Sequence, residues 1–322
     1  MSLTLDRRLV EPVVAGLLGA CDVDGGPADE QLLVLAAIVS EVWGRRDLDL
    51  RSIAPASPDA TAAALTTSVD RRHFHELLVT LEACRHPLTD AQLDRIESYE
   101  AAIGVSGPDA ALFRTMVDEG TERAKADFAR FLVGSTDARV EPSLRETPVV
   151  ADASEPELVE RLEALRSCAP GTLGHAYLGF YEAAELLLPG VEATSLNHFY
   201  VAHDMTHVIA GIGTTAEAEV ALSAFLMALD DDAVNRSALL ASLIVHEAGF
   251  GDSNKVRAES GVLARPGAAE LFASEVARGG ACTADFSRID HLAIVDVPLD
   301  EIRAEYGVRR PADPADGHHL FW

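Results

Sequence analysis

The sequence predicts an all-α protein made of two helical domains joined by a linker. Apolar residues recur with helical spacing through most of the chain, strand-like alternation is nearly absent, and a length of 322 residues exceeds the usual size of one domain. We therefore expect a helical domain at residues 1–134, a linker at 135–155, a second helical domain at 156–311 and a tail at 312–322.

The first domain is predicted from a succession of amphipathic stretches. They are LVEPVVAGLLGA (9–20), ADEQLLVLAAIVSEVWGR (28–45), DRRHFHELLVTLEACRH (70–86), TDAQLDRIESYEAAIGV (89–105) and PDAALFRTMVDEGTERAKADFARFLVG (108–134). Helix starts are well marked, since Thr89 and Asp90 precede one stretch and Asp29 and Glu30 lie in the first turn of another. We expect this half to be helical.

The linker is predicted from STDARVEPSLRETPVVADASEPE (135–157), which is rich in Pro, Ser and acids and has no hydrophobic period. The tail PADPADGHHLFW (311–322) is expected to be loose. Between them, the second domain is predicted from five further amphipathic stretches. They are ELVERLEALRSC (157–168), TLGHAYLGFYEAAELLL (172–188), SLNHFYVAHDMTHVIAG (195–211), AEAEVALSAFLMALDD (216–231) and NRSALLASLIVHEAG (235–249).

The charge and the hydropathy pattern exclude several classes of function. A net charge of −26 argues against nucleic acid as a partner, because binding it requires a basic surface, and an anionic membrane would also be repelled on average, so membrane contact is expected to be peripheral at most. No apolar run approaches the roughly 20 residues of a spanning helix. The start MSLTLDRRLVEP has no signal-peptide pattern, so a cytoplasmic location is expected, and a homo-oligomer is left open.

Neither the cysteines nor the glycines form a motif for a known cofactor. Cys21, Cys84, Cys168 and Cys282 lie far apart without a CxxC pair, which argues against a zinc ribbon or a disulfide framework. The sequence has no P-loop, no dinucleotide glycine fingerprint and no GxSxG. We therefore predict no organic cofactor.

The densest set of metal-ligand residue types lies in HDMTHVIAGIGTTAEAE (203–219). On a helix, His203 and His207 share a face because they are four residues apart, and Asp204 lies roughly 100° around the axis from His203. Three potential ligands therefore share one side. Histidine pairs with this spacing also occur on helix surfaces and in hydrogen-bonded cores, so the pair alone leaves that alternative open.

Two acids that follow this helix have different expected roles. Gly211 and Gly213 are expected to end the helix, and Thr214 with Glu217 forms a capping-box pattern that gives Glu217 a structural role. Glu219 begins the apolar run EVALSAFLMAL, where an ionised carboxylate is costly unless it is paired. A metal would be a sufficient partner for it.

Two imidazoles and one or two carboxylates suit a borderline divalent ion that keeps a position open for water or substrate. We therefore predict a metal bound by His203, Asp204, His207 and Glu219, with zinc as the first candidate and iron or cobalt as alternatives. The sequence assigns no catalytic residue.

The carboxy-terminal half resembles the Coq-four family of coenzyme Q (ubiquinone) biosynthesis, whose motif is HDxxH followed after eleven residues by Glu. PGTLGHAYLGFYEA (170–183) is similar to the family's Pro-x-Thr-Leu-Gly-x-x-Tyr segment, and VPLDEIRAEYGV (297–308) to its Pro-Leu-x-x-x-Arg segment. The resemblance covers residues 156–311. It differs just before the motif, where His198 and Tyr200 stand in NHFYVAHD instead of the family's basic residues.

This resemblance implies a helical, metal-binding protein that acts on a prenylated aromatic, quinone-precursor-like substrate. The reaction would replace the ring carboxylate by oxygen, as in a metal-dependent lyase or oxygenase-type enzyme, and quinone-pathway proteins would be partners. A non-catalytic lipid-binding scaffold remains an alternative. The metal is expected at the end of an apolar channel, whose candidate lining residues are Phe199, Val201, Val208, Ile209, Phe225 and Leu226.

Residues 8–104 resemble, more weakly, the tellurite-resistance B-like domains. CDVDGGPADE (21–30) and HPLTDAQLDRIESYEAAIGV (86–105) carry this resemblance. It implies a stress-response module as a further alternative function. An Asp-Gly turn before an acidic helix start is also general helix-start chemistry.

Two other residue pairs leave a choice between packing and function. His246 and Glu247 lack the second histidine of a zincin motif, so a core or surface role is favoured over a position near the metal. Tyr177 and Tyr181 are four apart, which fits core packing and also a pocket wall.

Overall fold

The computed structural model describes residues 5–107, 113–115, 128, 131–149, 151–230, 232–249 and 259–322. Throughout these ranges the regular secondary structure is helical, and β-pairing is limited to three isolated bridges, so the all-α prediction is confirmed. Most of the helix expected at 108–134 lies outside the described residues. The α-helices are α1 (Arg7–Cys21), α2 (Asp29–Ala37, continuing into a π turn, Ile38–Val42), α3 (Pro58–Ala64), α4 (Ser68–Ala83), α5 (Asp90–Ile103), α6 (Pro156–Glu163), α7 (Leu173–Ala183), α8 (Asn197–Ala210), α9 (Ala216–Leu229), α10 (Ala233–His246), α11 (Ala268–Gly279) and α12 (Leu299–Tyr306).

Several helices begin where a side chain can accept a backbone N–H group that the helix itself leaves unpaired. The Thr89 hydroxyl accepts from the Gln92 N–H at 3.2 Å, so α5 begins at Asp90 as the sequence predicts. Asp29 and Glu30 lie in the first turn of α2, where acids interact favourably with the helix dipole. The sequence signals for these two helix starts are confirmed.

Two clusters of buried apolar side chains form the core, and α9 contributes to both. Val220 and Ala224 pack in the first cluster with α1, α2, α4, α5, α10 and α11. Leu222 and Phe225 pack in the second with α6, α7, α8 and α12. A helix that is buried on several faces must be apolar around most of its circumference, which explains the composition of α9. Its first turn carries Glu219.

The segment predicted as a linker makes buried contacts. Glu141 is fully buried, and its carboxylate accepts hydrogen bonds from His291 Nδ1 at 2.9 Å and from the Leu292 N–H at 3.2 Å. Leu144 is also buried, whereas residues 145–149 and 151–154 are exposed. The division into domains on either side of 135–155 stays a prediction.

We expect limited proteolysis to cut first in the exposed residues 145–149 and 151–154, because exposed backbone is the preferred substrate of proteases. The two fragments should then stay together on size-exclusion chromatography, since the first core cluster contains residues from both halves. Mass spectrometry of the fragments locates the cut. Initial cleavage within 156–230, or separation of the fragments under native conditions, would contradict this prediction.

The carboxy-terminal residues are packed, so the expectation of a loose tail is wrong. The His319 ring is buried, with Nε2 3.2 Å from Glu275 and Nδ1 2.9 Å from Asp316. The Trp322 indole N–H donates to the Gly211 carbonyl at 3.2 Å. The polar composition of the tail gave no sign of these partners on α11 and at the end of α8.

Candidate metal centre

The centre of the site is a triangle of two imidazoles and one carboxylate. His203 and His207 lie one turn apart on α8, with their Nε2 atoms 3.1 Å apart, and Glu219 Oε2 lies 3.5 Å from each. A point equidistant from these three atoms lies about 2 Å from each of them, which is the length of a zinc–nitrogen or zinc–oxygen bond. The donor set and its spacing therefore fit a small divalent ion.

The turn between α8 and α9 brings Glu219 back to the histidines. Gly211 ends α8 with φ +69°, a left-handed conformation that glycine adopts without strain, and the Ile212 N–H donates to the His207 carbonyl at 3.0 Å. Thr215, not Thr214, caps α9 by accepting from the Ala218 N–H, so the capping-box prediction is wrong by one residue.

Glu217 does not reach back to cap α9, because its carboxylate accepts a hydrogen bond from Arg265 at 3.0 Å. Glu217 therefore has a structural role, as the sequence predicts, but through an ion pair with Arg265 and not through a helix cap.

His207 is oriented by the backbone in the manner typical of a metal ligand. Its ring is buried, and Nδ1 lies 3.1 Å from the Ile212 carbonyl oxygen, which can accept only from a protonated nitrogen. In the neutral ring, Nε2 is then left with a lone pair directed at the triangle. His203 stacks on the Phe199 ring at 5.1 Å, and its side chain is 14% exposed, so it forms the more accessible side of the site.

Asp204 lies at the edge of the triangle and accepts a hydrogen bond from the Tyr181 hydroxyl. One carboxylate oxygen of Asp204 and one nitrogen of each histidine all lie within 4.8 Å of one another. The four residues predicted as ligands are therefore brought together. Tyr181 is buried on α7, 5.0 Å from the Tyr177 ring, so this tyrosine pair serves both packing and the site.

The four groups differ in charge because each combines burial with a different set of neighbours. Burial lowers the pKa of His203 and raises that of Asp204. Burial also opposes ionisation of His207 and Glu219, but their mutual attraction outweighs it, so the pKa of His207 is raised and that of Glu219 lies well below its usual range. At neutral pH the site thus offers an ionised carboxylate and a neutral imidazole.

Two buried arginines hold the end of α8, and sequence reasoning missed both. Arg303 donates to the carbonyls of Val208 and Ile209 at 3.0 and 3.1 Å, and Arg278 donates to Ala210 at 2.9 Å. The last carbonyls of a helix have no partner within the helix, and cations there also favour the helix dipole. These contacts therefore fix the helix that carries both histidines.

The three segments that resemble the Coq-four family meet around α8. Leu173, at the start of α7, donates its N–H to the Val297 carbonyl at 3.0 Å, and Thr172 and Pro298 form an isolated bridge. From the same two segments, Tyr181 contacts Asp204 and Arg303 supports the end of the helix. Their joint occurrence in the sequence thus corresponds to one spatial unit.

Arg139 is a further buried cation near the site, and it lies in the segment predicted as a linker. Its guanidinium lies 5.2 Å from the Phe199 ring and has no hydrogen-bonded side-chain partner among the described residues. Burial lowers its pKa to about 10, with Asp285 and Glu219 as the carboxylates that favour its charge. It remains charged at neutral pH.

The expected channel lining is largely core. Five of the six candidate residues are fully buried in the second cluster, and Phe199 is half-buried. The fully buried ones are Val201, Val208, Ile209, Phe225 and Leu226.

No protein-family model and no curated protein matches the chain. Among solved structures, it is similar to a protein from Nostoc punctiforme that is provisionally described as a ubiquinone biosynthesis protein. The two share 16% identity, the match covers 76% of this chain and 100% of that chain, and the TM-score is 0.32. Similarity at this level carries no information about function.

Proposed function

We propose that His203, His207 and Glu219 hold one divalent metal ion, with Asp204 as a further ligand or as a hydrogen-bonded neighbour. The observation that supports this most directly is the triangle of Nε2, Nε2 and Oε2 atoms with edges of 3.1, 3.5 and 3.5 Å. Zinc suits this set of two nitrogens and one or two oxygens, and iron or cobalt is also compatible.

We further propose that the protein acts on, or presents, a prenylated aromatic substrate of the quinone-precursor type. When bound, the metal would supply a Lewis acid that stabilises negative charge on a ring substituent. The chain's own groups would position that substituent. The Tyr181 hydroxyl donates a hydrogen bond to Asp204 at the edge of the triangle, and Arg139 offers a buried positive charge beyond Phe199. The support for the substrate class is the three-segment resemblance around α8.

The activity is tested with a prenylated hydroxybenzoic acid, dioxygen, a two-electron reductant such as ascorbate, and the metal-loaded protein. An enzyme releases the ring carboxylate as carbon dioxide and places one oxygen atom of dioxygen on the ring, while the second oxygen atom leaves as water with the two electrons of the reductant. Mass spectrometry detects the hydroxylated ring, and Glu219→Gln loses this conversion. A scaffold binds the same compound without converting it. Absence of both conversion and binding would contradict the proposed substrate class.

A prenylated compound would be found in a membrane. We therefore propose that the segment that follows α7 contacts the membrane surface. Leu186, Leu187 and Val191 are 42%, 53% and 41% exposed, which is unusual for three apolar side chains so close in sequence. The segment begins at the end of the helix that carries Tyr181. No helix in the described ranges has the length and apolar character needed to cross a membrane, so the proposed contact is peripheral.

The expected result of Leu186→Ser with Leu187→Ser is a several-fold loss of binding to neutral phosphatidylcholine vesicles, because two exposed leucines would no longer insert. Val133→Ser is the matched control, since Val133 is 57% exposed but lies elsewhere in the chain. Co-sedimentation measures the bound fraction. Equal binding of the wild type and the double variant would rule out this surface.

A further inference from the structure

A second group of metal-ligand side chains lies where α2, the turn after α4 and the end of α10 meet. His86 Nε2 is 3.0 Å from Glu247 Oε1 and 3.9 Å from Glu30 Oε2. One donor atom from each residue lies within 4.8 Å of the others. This group is distinct from the triangle on α8, and it joins residues from both halves of the sequence.

The group is preorganised by its buried member. Glu247 is fully buried, and its second oxygen accepts from the Leu263 N–H at 2.8 Å while the first faces His86. The side chain therefore has one fixed orientation. A site whose ligands are already oriented binds a cation without the cost of ordering them.

Glu30 supplies the observation that points to a missing ligand. Its Oε1 atom is completely shielded from solvent and has no hydrogen-bond partner among the described residues. In the described part of the chain, neither carboxylate forms an ion pair with an arginine or a lysine. Two adjacent acids thus lie in a place that favours positive charge.

His86 connects this group to solvent. Its side chain is 34% exposed, whereas those of Glu30 and Glu247 are 12% and 0% exposed. An ion could therefore arrive from the His86 side and keep water molecules on that side. Two carboxylate oxygens and one imidazole nitrogen suit borderline divalent cations such as zinc or manganese.

We propose that Glu30, His86 and Glu247 form a second divalent-cation site, which links the first turn of α2 and the turn after α4 to the end of α10. Because the three ligands meet only in the folded chain, binding at this site stabilises the fold. The site differs from the centre on α8 in all its ligands, since the two share no residue.

The test uses the full chain stripped of metal and titrated with zinc, with bound zinc and the melting temperature as readouts. We expect His203→Ala, which removes a ligand of the first centre, to retain one equivalent of zinc and a rise in melting temperature on adding zinc. In that background, Glu30→Gln should weaken zinc binding at least tenfold and abolish the rise. Asp29→Asn is the matched control, because this exposed acid lies in the same helical turn and outside the group.

His86→Gln guards against loss of fold as an explanation, because His86 is partly exposed and its replacement leaves the buried carboxylates in place. It should lower zinc affinity while circular dichroism stays unchanged. The proposal is overturned if His203→Ala binds no zinc, if Glu30→Gln and His86→Gln bind as tightly as their parent, or if Asp29→Asn loses as much affinity as Glu30→Gln. The last result would show diffuse binding to an acidic surface.

Discussion

His203→Ala is expected to remove one equivalent of bound divalent metal from the protein while leaving it folded. Losing a partner that merely orients a ligand costs a metal site about 10- to 100-fold in affinity, so losing a ligand should raise the dissociation constant by about 100-fold or more. His203 is the appropriate target because its ring is 14% exposed and its Nδ1 atom has no hydrogen-bond partner among the described residues. Removing it costs the contact with the Phe199 ring, so circular dichroism is used to confirm that the variant is folded.

The matched control is His175→Ala, which removes an exposed histidine from α7 and should leave metal binding unchanged. Glu219→Gln should reproduce the loss, because it keeps the size of the side chain but removes its charge. Elemental analysis after dialysis and a cobalt titration followed by visible absorption give the stoichiometry and affinity. If His203→Ala and the wild type bind the same number of equivalents with the same affinity, the centre on α8 holds no metal.

The positions of His203 and His207 could be predicted because four-residue spacing fixes which side chains share a helical face. Predicting the position of Glu219 also required predicting a turn, since the chain must reverse at Gly211 and Gly213 before α9 begins. The sequence contained that turn signal, and the cap was placed only one residue too early, at Thr214 instead of Thr215. Local rules were sufficient here because all three residues lie within 17 positions of one another.

The contacts that support the centre could not be predicted, because they join residues that are distant in sequence. Arg303 lies 94 positions after the Ile209 carbonyl that it binds, and nothing in VPLDEIRAEYGV shows a buried guanidinium. Glu141 lies in a stretch whose prolines and acids suggest solvent, yet His291 and Leu292 bury its carboxylate. The composition of a segment indicates only its local structural preferences. The roles of these two segments depend on contacts with residues that are distant in the sequence.

Arg303→Met is expected to lower the free energy of unfolding by about 2 kcal/mol, because it leaves the buried Ile209 carbonyl without a donor, at about 1–3 kcal/mol, and leaves the Val208 carbonyl with only the Gly211 N–H at 3.2 Å. The variant also loses the stacking of the guanidinium on Trp322, 3.7 Å from the ring. Relief from burying a charge offsets part of this loss, since burial lowers the pKa of Arg303 to about 10 and the group stays ionised at neutral pH.

Urea unfolding followed by circular dichroism measures the change, and Arg310→Met is the matched control, because Arg310 is exposed and its replacement should change the stability by less than about 0.5 kcal/mol. Arg303→Lys separates charge from geometry, since an ammonium group keeps the charge at the end of α8 but lacks the planar fork that reaches two carbonyls and stacks on Trp322. If the fork matters, lysine restores less than half of the lost stability.

The metal affinity of Arg303→Met should fall much less than that of His203→Ala, because Arg303 fixes the helix and does not face the triangle. A methionine variant as stable as the wild type would show that the end of α8 finds other donors, and the rigidity attributed to Arg303 would then have to come from Gly211 and the packing of α9.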